Sequence, residues 1–437
     1  RFSDRLIHFI VYRGRLIELI FAVLTIFCLI CYPFVDVNYD LSEYLPSSAP
    51  TRQALNVMER EFGYPGMARV MVPNVTRYEA KNLRTKIEEV NGVSMVIGAD
   101  LLSDVYMGDS FAENKLTDQF YKDGNALFEI VFDKGENDQL THHALDEIKN
   151  IVGEKACFTG TAASSKARQE SITREILIAI LISVVIIWLI LTLTTNSWFE
   201  PFLFLAIMFI AIIINMGSNL MFGSISFFTF STAAILQLAV SMDYSIFLLH
   251  IFMAHKKEGM DLHEAMAASI REASSSILAS GATTIVGFIA IAFMQFSIGR
   301  DVGFVLTKGI LASLATVMFL MPTLILHFNE KIERTAHRPL MPSFAPAARG
   351  MYRIRVPVLV AAVLLAVPCF IGQGLNAFYY GNDALGAGPG TQIYEDTQAI
   401  NAVFGKSNVT LAILPDSSNV RERELTRALE DLPFNNY

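Results

Sequence analysis

Charge is what this sequence has least of. Asp, Glu, Lys and Arg make up 17% of its 437 residues, against about 25% in an ordinary soluble domain. With 53% hydrophobic residues and a mean hydropathy of +0.42, that deficit excludes a wholly water-soluble chain and indicates a membrane protein with sizeable polar parts. A basic excess is lacking too. The net charge of -8 argues against a nucleic-acid partner, which needs a basic face. Cysteines are few: Cys28, Cys31 and Cys369 lie in apolar stretches and Cys157 alone in a polar one, so there is no disulfide framework and no reading of the redox compartment. No phosphate loop of the GxxxxGK type, nucleophile elbow or metal-ligand cluster occurs. A nucleotide-driven pump, a hydrolase and a metal site are therefore not expected, nor is a cofactor. A methionine start is also lacking, and the chain stops at Tyr437 in a polar stretch, the pattern expected of a fragment.

Long apolar runs are what it has instead. Crossing about 30 Å of hydrocarbon takes about 20 helical residues, and suitable runs fall at about 16–35, 173–194, 200–218, 227–252, 275–296, 303–327 and 356–375. They group as one, then five, then one. The first is no cleavable signal, being long and without a small-residue cleavage site. Basic residues precede the first run (Arg1, Arg5, Arg13, Arg15), follow the fourth (Lys256, Lys257, Arg271) and fill the gap before the seventh (Lys331, Arg334, Arg338, Arg349, Arg353, Arg355). By the positive-inside rule all three lie in the cytoplasm. The expected plan is a cytoplasmic segment and first span (1–35), an extracytoplasmic α+β domain (36–172), a five-span block (173–328), a basic cytoplasmic linker (329–355), a seventh span (356–375) and the start of a second extracytoplasmic domain (376–437).

Within 36–172 the pattern strand, helix, strand occurs twice. "MARVMV" (67–72), "RYEAKNLRTKIEEV" (77–90) and "VSMVIG" (93–98) form the first set; "ALFEIVF" (126–132), "QLTHHALDEIKNIV" (139–152) and "KACFTG" (155–160) form the second. Two such units suggest a split, ferredoxin-like sandwich. Segment 100–124, with Asp100, Asp104, Asp109 and Asp118, lacks calcium-loop spacing and reads as a solvated excursion. His142 and Asp146 stand four apart beside His143, which is a surface helix rather than a metal site.

A larger repeat sets the architecture. "EFGYPGMARVMVP" (61–73) lies over "VFGKSNVTLAILP" (403–415), so that Phe62, Gly63 and Pro73 fall on Phe404, Gly405 and Pro415. One half, a span, an outer domain and five spans, is followed by the opening of a second. Repeated halves are a recurring build among secondary transporters, with function between them. A complete copy implies twelve spans and about 680–700 residues.

From Leu236 to Phe252 the only formally charged side chain is Asp243. A carboxylate at the centre of a membrane helix costs about 2.5–3.5 kcal/mol on insertion scales. Its short side chain, about ten residues or 15 Å from the cytoplasmic end near Ala254, cannot snorkel to water. A carboxyl removed from water favours its neutral form, which brings proton exchange towards physiological pH. Asp243 is therefore read as a proton site, with a structural, hydrogen-bonded acid as the alternative. On the fifth span Ser276, Ser280, Thr284 and Gly287 recur at helical spacing, a stripe that either offers hydroxyls to Asp243 or only packs. Tyr244, about 100° round the helix from Asp243, either packs or holds a proton or water. Lys308, about five residues inside the outer end of the sixth span, is close enough to snorkel. Gln237 and Asn215 read as interhelical hydrogen-bonding glue, and His250 as a solvated or capping group.

At this point the residues resemble a family. "SMDYSIFLLH", "ASGATTIVGFIAIAFM" and "DVGFVLTKGILASLATVMFLMPTLI" are similar to the fourth-to-sixth-span block of the resistance-nodulation-division superfamily, specifically its MMPL-type bacterial exporters. The resemblance covers essentially the whole chain. It implies a polytopic helical membrane protein with porter-type outer domains in repeated halves, set in the bacterial plasma membrane with its N-terminus in the cytoplasm. It further implies a transporter rather than an enzyme, exporting a hydrophobic, lipid-like or drug-like substrate on the proton-motive force. The family's proton relay falls on Asp243, with Tyr244 beside it; its partners on a tenth span belong to the missing second half. The partners implied are the lipid bilayer, protons, the substrate and that second half, and the oligomeric state is open, a homo-oligomer included. A SecDF-like protein-export component is the rival transporter, but the "DAN" expected after its acid is absent. A sterol- or lipid-sensing receptor is the rival from another class.

Overall fold

Helix-favouring runs free of internal proline continue past the hydrocarbon limit, whereas β-branched runs bounded by turn residues become strands. The computed structural model describes residues 4–63, 65–101, 117–337, 350, 352, 354–376, 390–406 and 419–430. In chain order α1 (Asp4–Tyr12), α2 (Gly14–Cys31) and β1 (Asp36–Asn38) come first. Then follow α3 (Pro50–Phe62), β2 (Met67–Val72), α4 (Arg77–Glu88), β3 (Val93–Ile97), β4 (Tyr121–Lys122), β5 (Asn125–Phe132), α5 (Gln139–Val152) and β6 (Cys157–Thr159). The long helices are α6 (Thr161–Thr194), α7 (Glu200–Gly217), α8 (Phe227–Lys257), reached through β7 (Ser224–Ser226), α9 (Leu262–Ala292) and α10 (Ser297–Ala315). Short α11 (Met321–His327) and α12 (Asn329–Arg334) precede α13 (Arg355–Gln373), α14 (Gln392–Phe404) and α15 (Asn419–Glu430). Contacts divide the chain into a helical unit, 1–46 with 168–386, and a sheet unit, 47–167 with 387–437.

In the sheet unit the strand order is β3-β5-β2-β6, every neighbour antiparallel, with β4 paired to β5. This is the order of the ferredoxin-like sandwich expected from the two β-α-β sets. One face buries Val70, Phe128, Ile130 and Phe132 against Ile87 of α4 and Ile148 of α5. A reciprocal cap starts α4: Thr76 Oγ1 accepts from the Glu79 amide (3.3 Å) and Glu79 Oε2 from the Thr76 amide (2.8 Å). The second of these bonds holds the Glu79 carboxyl below the usual range. The opposite face of the sheet carries Met71 and Leu127, and fully buried Ile400 of α14 covers them. There Asp396 accepts the amide of Phe158 on edge strand β6 (2.9 Å) and Thr397 bonds Thr159 (2.9 Å), satisfying part of a strand edge that would otherwise stay open. Burial, and then Asp396, push the Cys157 thiol up. The first described helix of the segment expected to open a second outer domain thus packs on the sheet of the first.

The repeat has a geometric counterpart. Helices α3 and α14 are each 13 residues long and end on glycines, Gly63 (φ 70°) and Gly405 (φ 79°), in the left-handed region where a side chain is strained. Two surface expectations need correction. Asp100 is not simply solvated, because its carboxylate takes both contacts of the Arg84 Nε (2.8 and 3.1 Å); Asp104 and Asp109 lie outside the described residues, and Asp118 is exposed. His142 is buried, its Nε2 3.0 Å from the Glu136 carbonyl. Lys166 bonds the His142 carbonyl and pairs with Asp146, so no metal pair forms. His143 faces outward.

In the helical unit the described residues include seven helices long and apolar enough to cross a membrane, at the seven expected places. Two start earlier than hydropathy alone placed them. "TAASSKARQES" and "LHEAMAASIRE" are too polar for hydrocarbon, yet they extend α6 back to Thr161 and α9 to Leu262, since such residues favour a helix in water. Asp261 caps α9 by accepting from His263 N (3.2 Å). Pro322 offers no amide to the turn before it, and a π-turn at Thr316–Leu320 joins α10 to α11. Helices α9 and α10 approach closely where α10 lacks a side chain: a Cβ on Gly303 would lie 2.6 Å from the Phe288 carbonyl and from the Ala292 Cβ. Strands β1 and β7 pair in parallel, Asp36 with Ser224. Tyr44 Oη accepts from the Phe227 amide (3.4 Å) and donates to the Asn38 carbonyl, and burial pushes its phenol well up. Helix α13 has no buried residue.

Candidate functional site

Asp243 sits sixteen residues after Phe227 and fourteen before Lys257 in α8, about 20 Å or more from either end. Its helix has two polar faces. Gln237, Ser241 and Ser245, four residues apart, form one stripe, and all three are buried. Gln237 Oε1 accepts from Asn215 Nδ2 of α7 (2.9 Å), while Gln237 Nε2 donates to the Gly309 carbonyl (3.0 Å) and Ser313 Oγ (3.1 Å) of α10. Ser241 Oγ reaches Ser313 Oγ at 2.6 Å. This is the glue read from Gln237 and Asn215, extended by Ser241 and Ser313. Both serines were missed, although the i, i+4 spacing of Ser241 from Gln237 was available in the sequence; Ser313, on another helix, had no such signal.

The other face opens on a groove of about 480 Å³ between α8 and α9, lined by Asp243, Tyr244, Phe247, Ser276, Ser280 and Thr284, among others. The fold therefore brings the expected relay residues to one place. Asp243 is exposed to this groove and has no hydrogen-bonding or ion-pair partner among the described residues. Tyr244 is 5% exposed and packs in the core of the helical unit. Its Oη is buried without a partner, which is costly for a hydroxyl unless water or another group serves it.

The stripe on α9 differs from expectation in two ways. Ser280 and Thr284 face the groove, but Thr284 Oγ1 donates to the Ser280 carbonyl (3.1 Å), and no direct bond joins the stripe to Asp243 among the described residues. Gly287 is not a packing contact, because a Cβ there meets nothing within 4 Å; the close approaches fall at Gly281 and Gly303 instead. Lys308 does not snorkel to the surface. Its Nζ donates to the Asn215 carbonyl (2.9 Å) and Asn219 Oδ1 (2.5 Å) at the C-terminal end of α7, where unsatisfied carbonyls attract a cation. His250 is exposed. Among the described residues no three His, Cys, Asp or Glu side chains converge as metal ligands.

The arrangement is a mid-helix carboxyl open to a polar-lined groove, with a hydrogen-bonded frame on another face of its helix. Comparison with known proteins finds relatives among membrane proteins. The siderophore exporter MmpL5 of Mycobacterium tuberculosis is 22% identical over 265 residues, 56% of this chain and 27% of that protein. The membrane protein SCO6666 of Streptomyces coelicolor is 26% identical over 201 residues, 44% of this chain and 28% of that one. MJ1562 of Methanocaldococcus jannaschii, also a membrane protein, is 31% identical over 90 residues, 21% of this chain and 23% of that one. The chain spans no more than 28% of the length of these relatives. Among solved structures, SecDF, a translocon-associated membrane protein from Thermus thermophilus, aligns with a TM-score of 0.42 and 15% identity over 74% of this chain and 38% of that one. The MMPL family matches residues 43–345, which takes in most of the sheet unit and the whole five-span block, and the chain therefore belongs to the MMPL family.

Proposed function

We propose that this chain is part of a proton-driven exporter of hydrophobic or amphipathic molecules, in which Asp243 is the group that takes up and releases the proton. The observation that carries the reading is the Asp243 carboxyl, midway along a membrane helix and open to a groove lined by Tyr244, Ser280 and Thr284. When ionised, Asp243 needs polar partners or water and keeps the groove hydrated; when neutral, it tolerates closure against apolar surface. The two protonation states therefore favour different helix packings, and that difference is what a proton gradient can drive. Tyr244 Oη, buried without a partner, is placed to share a water with the carboxyl, and Ser280 and Thr284 hold water along the opposite wall. The substrate class rests on family membership, and the siderophore exporter among the relatives fits it. The test is proton-coupled export by the full-length protein with and without the Asp243 carboxyl.

Two further outcomes are expected. Tyr244→Phe, Ser280→Ala and Thr284→Ala should each lower coupled export partially, by about 2- to 30-fold, a hydroxyl in a membrane interior being worth about 0.6–2 kcal/mol. Wild-type rates in all three would reduce these residues to packing. The basic segments support a reading with the chain's N-terminus and the α8–α9 turn in the cytoplasm and the sheet unit outside. A cysteine at Glu154, exposed in the sheet unit, should react with a membrane-impermeant maleimide in intact cells; one at Glu258, exposed in the α8–α9 turn, should not. Labelling at Glu258 overturns the orientation.

A further inference from the structure

The first turns of the helical unit carry more arginines than acids to pair with them. Helix α1 buries Ile7, Ile10 and Val11 in the core of that unit. Its opposite side is exposed, and Arg5, Phe9 and Tyr12, at i, i+4 and i+7, share it. Arg13, at the break between α1 and α2, and Arg15, in the first turn of α2, are exposed as well. The acids of this stretch are engaged elsewhere: Asp4 accepts from Arg271 Nη2 of α9 (2.7 Å), and Glu18 pairs with His327 of α11 (3.4 Å). Among the described residues Arg5, Arg13 and Arg15 have no carboxylate partner.

The same two ion pairs mark where the patch lies. Arg271 stands just ahead of the apolar run that opens at about 275, and His327 is the last residue of α11, where the sixth run closes. Asp4 and Glu18 are tied to these two points, so α1 and the first turn of α2 lie at the level where two spans leave hydrocarbon. A helix at that level whose inner side meets protein turns its outer side to the headgroup layer. Aromatic rings suit the acyl boundary there, and arginines suit the phosphates. We propose that Arg5, Arg13 and Arg15, with Phe9 and Tyr12 between them, form a binding site for an anionic phospholipid beside the first span. A guanidinium offers paired N–H donors that match two phosphate oxygens at once. Exposed Leu16, Leu19 and Ile20 continue from the patch into the span, which favours a phosphate carrying acyl chains over a soluble one. The site is braced from behind, since the Tyr12 ring stacks on His263 of α9 with 5.7 Å between centroids, in addition to the Asp4–Arg271 pair.

The experiment is native mass spectrometry of the full-length protein in detergent, titrated separately with phosphatidylglycerol and with phosphatidylcholine of the same acyl chains. The wild-type protein should bind the first phosphatidylglycerol more tightly than the first phosphatidylcholine. A basic residue near an anionic surface contributes about fivefold in affinity, so joint Arg5→Gln, Arg13→Gln and Arg15→Gln should weaken phosphatidylglycerol binding by about 100-fold and leave phosphatidylcholine binding unchanged. Lysine at all three positions keeps the charge and should restore most of the preference. Hydrogen exchange of the α1 peptide, slower in phosphatidylglycerol than in phosphatidylcholine nanodiscs for the wild type and equal in both for the Gln variant, places the lipid on this helix. Equal phosphatidylglycerol affinity in the wild type and the Gln variant overturns the site, as does displacement of the lipid by millimolar inorganic phosphate, which would make it a site for a soluble anion. Should the triple variant fail to fold, the single Gln variants decide, each with an expected loss of about fivefold.

Discussion

Asp243→Asn in the full-length protein is expected to insert and fold as the wild type does and to lose proton-coupled export to background, a fall of about 100-fold or more. Folding should be indifferent, because the Asp243 carboxylate makes no hydrogen bond or ion pair among the described residues and faces open groove. An amide of the same shape costs less to place in a membrane than a carboxylate, whose penalty at mid-helix is about 2.5–3.5 kcal/mol. Coupling should not survive, since an amide neither binds nor releases a proton and leaves a single state where the gradient needs two. The measurement is export from vesicles with an imposed pH gradient, alongside thermal stability in detergent. Export at the wild-type rate would falsify the relay, whereas loss of both export and stability would make Asp243 a structural acid. Asp243→Glu keeps the proton chemistry on a longer arm and should retain part of the activity.

How much of this could be read from the sequence follows from what each feature depends on. Depth in the membrane is a property of run length, so the sequence alone marks Asp243 as a mid-span acid. Alternation and helical periodicity are local too, and β2 and α5 fall within the residues expected of them. Direction around a helix is different, because it depends on which neighbour occupies each side. Gly287 and Gly281 sit on the same helix and look alike in sequence, yet one faces open space and the other lies against Leu314. Lys308 gave the same difficulty. Its distance from the span end suggested snorkelling, and only the short α7, ending at Gly217 with Asn215 and Asn219 nearby, makes protein oxygens its nearest partners. The docking of α14 on β6 was hidden for a further reason. It joins residues some 240 positions apart, Phe158 and Asp396, and no local pattern marks such a pairing.

Gly217→Ala is expected to destabilise the helical unit more than any change at the stripe on α9. A Cβ at Gly217 would lie 2.0 Å from the carbonyl oxygen of Cys28 and 2.5 Å from its carbonyl carbon, so even one methyl group drives α7 into the backbone of α2. A side chain could swing away, as Leu314 can from Gly281, but a helix backbone moves only as a body. Helix α2 has few ties to resist this. Ile17 and Cys28 are its only buried residues, so the displacement would loosen the whole first span. Overpacking of this kind costs about 1–3 kcal/mol, and a backbone obstacle places it at the upper end, equivalent to a fall of about 5–10 °C in Tm. Gly287→Ala is the control. With nothing within 4 Å of its Cβ, it should leave the Tm unchanged or raise it slightly, since alanine favours a helix over glycine by about 1 kcal/mol. Thermal unfolding of both variants in the same detergent decides the matter: equal stability for Gly217→Ala and wild type would mean that α2 and α7 do not cross at Cys28.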